Sequence, residues 1–124
     1  MISEILLFLY VWISSFLIHE IMHIKGQGIF MTGTIDVWKY GMTVSPDVVE
    51  YPVWMYYSGG ILSSLIMFIL AYLTTGWLCW CFLTLGWVQL IYGIYEGYNM
   101  GNVKYRYIIY VTVILIMVVL WYMR

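Results

Sequence analysis

Four long apolar stretches constrain the fold of this chain more than any other feature. A helix needs about 20 apolar residues to cross roughly 30 Å of hydrocarbon, and each stretch is close to that length. The stretches cover residues 5–24, 52–73, 77–95 and 105–123. We therefore predict an all-α integral membrane protein with four transmembrane helices. The short link at 74–76 predicts an antiparallel pair of helices two and three.

The composition agrees with a lipid-facing surface. Of the 124 residues, 65% are hydrophobic and only 9% are charged, whereas a soluble domain usually carries about 25% charged residues. Seven Trp and thirteen Tyr suit the interface between lipid and water. A net charge of −1 argues against a nucleic-acid partner, because nucleic acids require a basic face. The expected surroundings are therefore the lipid bilayer.

One segment, 26–51, does not read as helix. Residues 34–38 and 42–45 are short and β-prone, and 39–41 between them have the composition of a turn. A small β-hairpin is predicted here, with an exposed linker as the alternative. We see no internal repeat in the chain, so residues 1–124 are predicted to form a single membrane-embedded domain.

The basic residues of the short loops predict the orientation. Cytoplasmic loops are enriched in Lys and Arg. With both termini outside, the loops after the first and third helices are cytoplasmic, and Arg124 alone is outside. The four cytoplasmic residues are then Lys25, Lys39, Lys104 and Arg106. The opposite orientation reverses this ratio, so we predict a multi-pass protein of the cell membrane with both termini outside.

Of the His, Asp and Glu side chains, His19, Glu20 and His23 lie within the predicted helices, and Glu96 directly follows the third. An acidic group at the centre of the bilayer costs on the order of 2.5–3.5 kcal/mol, so each needs a partner or a role. His19 and His23 are spaced i, i+4 and project from one helix face, which allows both to bind one Zn²⁺. Glu20 lies between them in the sequence HEIMH and is placed to act as the general base of metal-dependent hydrolysis. The alternative is a pair of polar histidines that pack between helices.

A catalytic zinc needs a third protein ligand and one open position. The first and third helices run in the same direction, so His23 and Glu96 are predicted at a similar depth near the cytoplasmic side. Glu96 is therefore the expected third ligand, although it could instead be an interfacial carboxylate paired with Lys104. Asp47 and Glu50, in the loop before the second helix, are weaker candidates for the third ligand.

This layout resembles the site-2 protease family of intramembrane zinc metalloproteases. In that family HExxH lies on one membrane helix, and Asp-Gly two helices later supplies the third ligand. Here Glu96-Gly97 stands at that point, so Glu replaces Asp. The run 89–91 (Gln-Leu-Ile) is similar to the family's Asn-Leu-Leu, and 59–63 (Gly-Gly-Ile-Leu-Ser) corresponds to Gly-Pro-x-x-Asn. The predicted hairpin after the HExxH helix is also a family feature.

The resemblance covers residues 5–100 and implies an intramembrane zinc endopeptidase that acts on membrane proteins. It implies zinc ligation by His19, His23 and Glu96, with Glu20 as catalytic base. It also implies substrate contacts at Ser63 and Gln89. A non-catalytic metal-binding module that binds another membrane protein is the main alternative function, and a metal carrier is a third.

The predicted topology can be tested by cysteine labelling from each side of the membrane. After Cys79 and Cys81 are replaced by Ser, a single cysteine near Lys39 should react with a membrane-impermeant maleimide only from the cytoplasmic side. A cysteine next to Arg124 should react only from outside. Labelling near Lys39 from outside alone would invert the orientation.

Overall fold

Four long helices make up most of the fold. The computed structural model describes residues 1–38, 41–46, 52–101, 104 and 106–123. The helices are α1 (Ile2–Lys25), α2 (Val53–Tyr72), α3 (Gly76–Tyr98) and α4 (Arg106–Met123). Each is long and apolar enough to cross a membrane. The predicted four-helix class is confirmed, and the fold is compatible with a multi-pass membrane protein.

The end of α3 lies beyond the predicted span and includes Glu96. The backbone N–H of Gly101 donates to the carbonyl of Glu96 at 2.9 Å, and that of Met100 donates to Gly97 at 3.2 Å. Met100 has a φ of 53°. This is the Schellman arrangement, which satisfies the last carbonyls of a helix. Glu96 therefore projects from the last full turn of α3, where its backbone is fixed.

Two short strands lie in the segment between α1 and α2. β1 (Gly33–Trp38) pairs antiparallel with β2 (Gly41–Pro46), with Thr34 opposite Ser45. Residues 39 and 40, where the turn is predicted, lie outside the described residues, so the turn of the hairpin stays a prediction. β2 packs against α1, which places the sheet near the end of α1 that carries the histidines.

The helices are arranged around a tight α2–α3 pair. These two helices share the most extensive contact, α1 packs on both of them, and α4 packs mainly on α3. A Cβ atom at Gly60 would meet the Cα of Gly93 and the carbonyl oxygen of Gln89. Since neither residue has a side chain, the backbones approach more closely than larger residues would permit.

The burial pattern is the reverse of a water-soluble protein. Large apolar side chains such as Ile13, Ile69 and Leu115 are exposed. Several polar side chains are fully buried between the helices, and these are Ser15, His19, Ser58, Ser63 and Gln89. Lipid favours apolar groups on the outside, whereas polar groups in a bilayer face other helices. This pattern fits a membrane surrounding the bundle and a polar interior.

The Gly60–Gly93 approach predicts a large effect of a single methyl group. Gly60→Ala should lower the free energy of unfolding by about 1–3 kcal/mol, the usual range for overpacking, because backbone atoms of α3 cannot turn away. Gly86→Ala on α3 is the matched control, since its Cβ would meet only the ring of Phe68. Unfolding by denaturing detergent measures both variants. Equal losses for the two would show that the close backbone approach is unimportant.

Candidate metal centre

Three predicted ligands converge between α1 and α3. Nε2 of His23 lies 2.6 Å from Oε1 of Glu96, and Nε2 of His19 lies 3.5 Å from the same oxygen. The two Nε2 atoms are 3.0 Å apart. Among the described residues, His19, His23 and Glu96 are the group of potential metal ligands whose donor atoms lie within 4.8 Å of one another. The fold therefore brings together residues that are far apart in the sequence.

The size and chemistry of this cluster suit a zinc ion. Ligands of a tetrahedral zinc at about 2.0–2.1 Å are separated from one another by roughly 3.3–3.4 Å. Of the three separations here, 3.5 Å is close to that value, whereas 3.0 and 2.6 Å are shorter. Two imidazole nitrogens and one carboxylate oxygen are also a common donor set for catalytic zinc. The residues present therefore fit the ion.

The hydrogen bond of His23 identifies which nitrogen is available to a metal. Its Nδ1 lies 2.6 Å from the backbone carbonyl of Met55. A carbonyl can only accept, so Nδ1 carries the proton, and Nε2 of the neutral ring has a free lone pair. Contacts of this kind orient metal-binding histidines in proteins. The absence of a side chain at Gly59 makes room for the His23 ring, because a Cβ at this position would clash with the imidazole.

The close approach of the two imidazoles requires a proton or a metal ion between or beside their Nε2 atoms. Two Nε2 lone pairs at 3.0 Å repel each other unless a proton or a metal ion lies between them or beside them. The Glu96 carboxylate next to both nitrogens further favours a cation. With His19 fully buried and His23 only 5% exposed, water supplies little screening. A divalent cation meets this requirement with all three ligands at once.

Glu20 lies beside the cluster. It follows His19 directly on α1 and is half-buried. It interacts electrostatically with both histidines, with Glu96 and with Arg106 at the start of α4. A carboxylate in this position can hold and transfer a proton next to the ligands without being one of them.

Gln89 and Ser63, which the resemblance implies as substrate contacts, are both fully buried. Gln89 Oε1 lies 2.6 Å from Nδ1 of His19, and the Ser63 hydroxyl donates to the carbonyl of Gly60 at 3.1 Å. Both therefore lie on the Nδ1 side of the His19 ring, whereas Glu96 lies on the Nε2 side. Their contact with substrate stays a prediction. Asp47 and Glu50 lie outside the described residues.

Two further groups at this site were missed by sequence reasoning. One is the Met55 carbonyl, which has no sequence signature because it belongs to the backbone. The other is Tyr92, whose ring centroid lies 5.5 Å from that of His19 and 5.2 Å from that of Tyr110 on α4. Tyr92 precedes Glu96 by four positions, so helical periodicity on α3 could have placed it on the same face.

The ligand set predicts the metal content of variants. The parent should bind about one zinc per chain, and Glu96→Ala should bind much less because an anionic ligand is lost. Glu96→Asp should retain part of the binding, since both carboxylates are ordinary zinc ligands. Glu4→Ala, at the opposite end of α1, is the control and should not alter it. Elemental analysis after purification without chelators measures this, and full zinc content in Glu96→Ala would exclude Glu96 as a ligand.

Comparison of the chain with protein families, with curated proteins and with solved structures found no match.

Proposed function

We propose that this chain is an intramembrane zinc endopeptidase that hydrolyses peptide bonds of membrane proteins, in the manner of the site-2 protease family. The observation that carries the proposal is the convergence of His19, His23 and Glu96 next to Glu20. A site that only stores or carries a metal has no need of Glu20, a carboxylate that is not one of the three ligands. A hydrolytic site requires one, because a proton must leave the attacking water.

The depth of the site supports access to water. His23 lies two residues before the end of α1, and Glu96 lies two residues before the end of α3. At 1.5 Å per helical residue, both are about 3 Å from the helix ends. Ionisable residues at this depth can meet water from one membrane face while their neighbours remain in lipid. We assign this face to the cytoplasm, with both termini outside, from the loop charges.

Each site residue has a distinct role in the proposed reaction. His19, His23 and Glu96 would hold the zinc, which when bound would polarise the scissile carbonyl and acidify a water molecule. Glu20 accepts a proton from the attacking water as its oxygen bonds to the carbonyl carbon. Glu20 then gives that proton to the amide nitrogen as the C–N bond breaks. The products are an amine and a carboxylic acid, which keeps the second proton of the water until it ionises on release, so atoms and protons balance.

The sheet next to α1 suggests how a substrate is held. Peptide bonds of a membrane helix are shielded by their own hydrogen bonds, so the substrate must be unwound before it is cut. β1 pairs with β2 along one edge, and within the described residues no strand pairs along its other edge. An unwound segment could add there as a further strand, which is a common mode of peptide recognition.

The burial of the histidines favours a second candidate, a non-catalytic metal-binding module that binds another membrane protein. Structural metal sites are closed, whereas catalytic sites keep one position open. His19 is fully buried and the Glu96 side chain is only 12% exposed, which suits a closed site. The role of Glu20 separates the two candidates, since only the peptidase depends on it.

Glu20→Gln should retain zinc and lose peptidase activity, because the amide keeps the size of the side chain but cannot accept the proton. Loss of a general base typically lowers the rate by about 10²–10⁴-fold. Glu4→Gln on the same helix is the control. Zinc-loaded protein is reconstituted into vesicles with a panel of fluorescently labelled single-span peptides, and cleavage is followed by mass spectrometry. Equal cleavage by parent and Glu20→Gln would exclude Glu20 as the base. A zinc-loaded parent that cleaves none of the panel would favour the non-catalytic module.

A further inference from the structure

A series of buried hydrogen bonds leads away from the metal centre and links side chains of α1 and α3. Nδ1 of His19 lies 2.6 Å from Oε1 of Gln89, and Nε2 of Gln89 lies 3.2 Å from the hydroxyl of Ser15. That hydroxyl lies 2.7 Å from the backbone carbonyl of Trp12. Ser15, His19 and Gln89 are all 0% exposed. Water therefore does not compete for these bonds, and the protein alone sets their direction.

The direction of these hydrogen bonds follows from the last one, between Ser15 and Trp12. The Trp12 carbonyl can only accept a hydrogen bond, so the single hydroxyl proton of Ser15 is directed at it. The Ser15 oxygen is then an acceptor toward Gln89, which requires the NH₂ group of the Gln89 amide to face Ser15. The carbonyl oxygen of the same amide must in consequence face His19.

The hydroxyl of Ser63 is compatible with this orientation of the Gln89 amide. Ser63 lies 3.1 Å from the carbonyl of Gly60 and 3.3 Å from Oε1 of Gln89, and its one proton can be shared between these two acceptors. Ser63 does not by itself fix the orientation, because its oxygen can also accept from an NH₂ group. The orientation of the amide therefore rests on Ser15 and on its short bond to the Trp12 carbonyl.

We propose that Gln89 is a positioning residue of the metal centre, which holds the proton of His19 on Nδ1 and so presents Nε2 to the metal. The proposal rests on the metal site of the proposed function but not on peptide hydrolysis. It assigns Gln89 a role that differs from substrate contact. Both histidines then follow one pattern, in which Nδ1 donates to an uncharged oxygen. This oxygen is Oε1 of Gln89 for His19 and the Met55 carbonyl for His23.

The choice of an amide has a physical reason. A carboxylate at position 89 would accept the same proton more strongly, but it would add another negative charge close to Glu96 and Glu20. A buried charge is costly unless it is fully paired. The amide supplies the required acceptor and uses its NH₂ group to satisfy Ser15, so no polar atom of Gln89 is left over.

The first experiment measures zinc affinity by competition with a chromophoric chelator in detergent. Gln89→Leu should bind zinc 10–100-fold more weakly than the parent, the usual effect of removing a partner that orients a ligand. Gln89→Glu, which keeps an acceptor for His19, should stay within a few-fold of the parent. The matched control is Thr84→Val on α3, because Thr84 is also buried and, within the described part of the chain, its hydroxyl bonds to the Trp80 carbonyl of its own helix. Unchanged affinity in Gln89→Leu would overturn the proposal.

The second experiment needs no variant at position 89 and begins with the metal-free protein. The chain has two histidines, so ¹⁵N-histidine labelling gives two ring systems, and His23→Ala assigns them. The His19 ring should show a protonated Nδ1 in the metal-free protein, and after loading with ¹¹³Cd²⁺ its Nε2 should couple to cadmium. Coupling through Nδ1, or a neutral His19 protonated on Nε2, would overturn the proposal. A protein that meets these expectations yet cleaves no peptide would refute the peptidase alone.

Discussion

Polar groups within a bilayer cannot rely on water, and this constraint organises the whole structure. Each donor and acceptor between the helices must find a protein partner or a cation. The buried polar side chains of α1, α2 and α3 accordingly bond to one another or to backbone carbonyls, while large apolar side chains face outward. Two imidazoles and a carboxylate meet in this interior, near the ends of α1 and α3. Their proximity is the strongest reason to expect a metal there.

The close contact of α2 and α3 is what places these groups. With Gly60 against Gly93, the two helices form a rigid pair on which α1 packs. Gln89, Tyr92 and Glu96 on α3 then point toward the histidines of α1, and Met55 on α2 supplies a carbonyl at the side. A shift of α3 relative to α1 by even an ångström would alter the distances from Glu96 to both histidines.

Much of this could be predicted from the sequence. Hydropathy identified the four helices, and the i, i+4 spacing of His19 and His23 together with the depth of Glu96 identified the three residues that converge. The rotation of each helix about its axis could not be predicted, and this rotation determines which side chains of different helices are in contact. The contact of Gln89 with His19 depends on that rotation, as does the position of Tyr92. The Met55 carbonyl carries no side-chain signal at all. The first strand begins one residue before the predicted 34–38, and the second extends one residue beyond each end of the predicted 42–45, because local β propensity is weak near a turn.

The division of the ligands between α1 and α3 has a consequence for biogenesis. His19 is synthesised about 77 residues before Glu96, which corresponds to roughly 4–15 s at common translation rates. During that interval the polar face of α1 has neither Glu96 nor Gln89 as a partner. We therefore expect the polar groups of the nascent first helix to keep contact with water until the third helix has been made. Assembly of the centre is thus tied to the order in which the helices enter the bilayer.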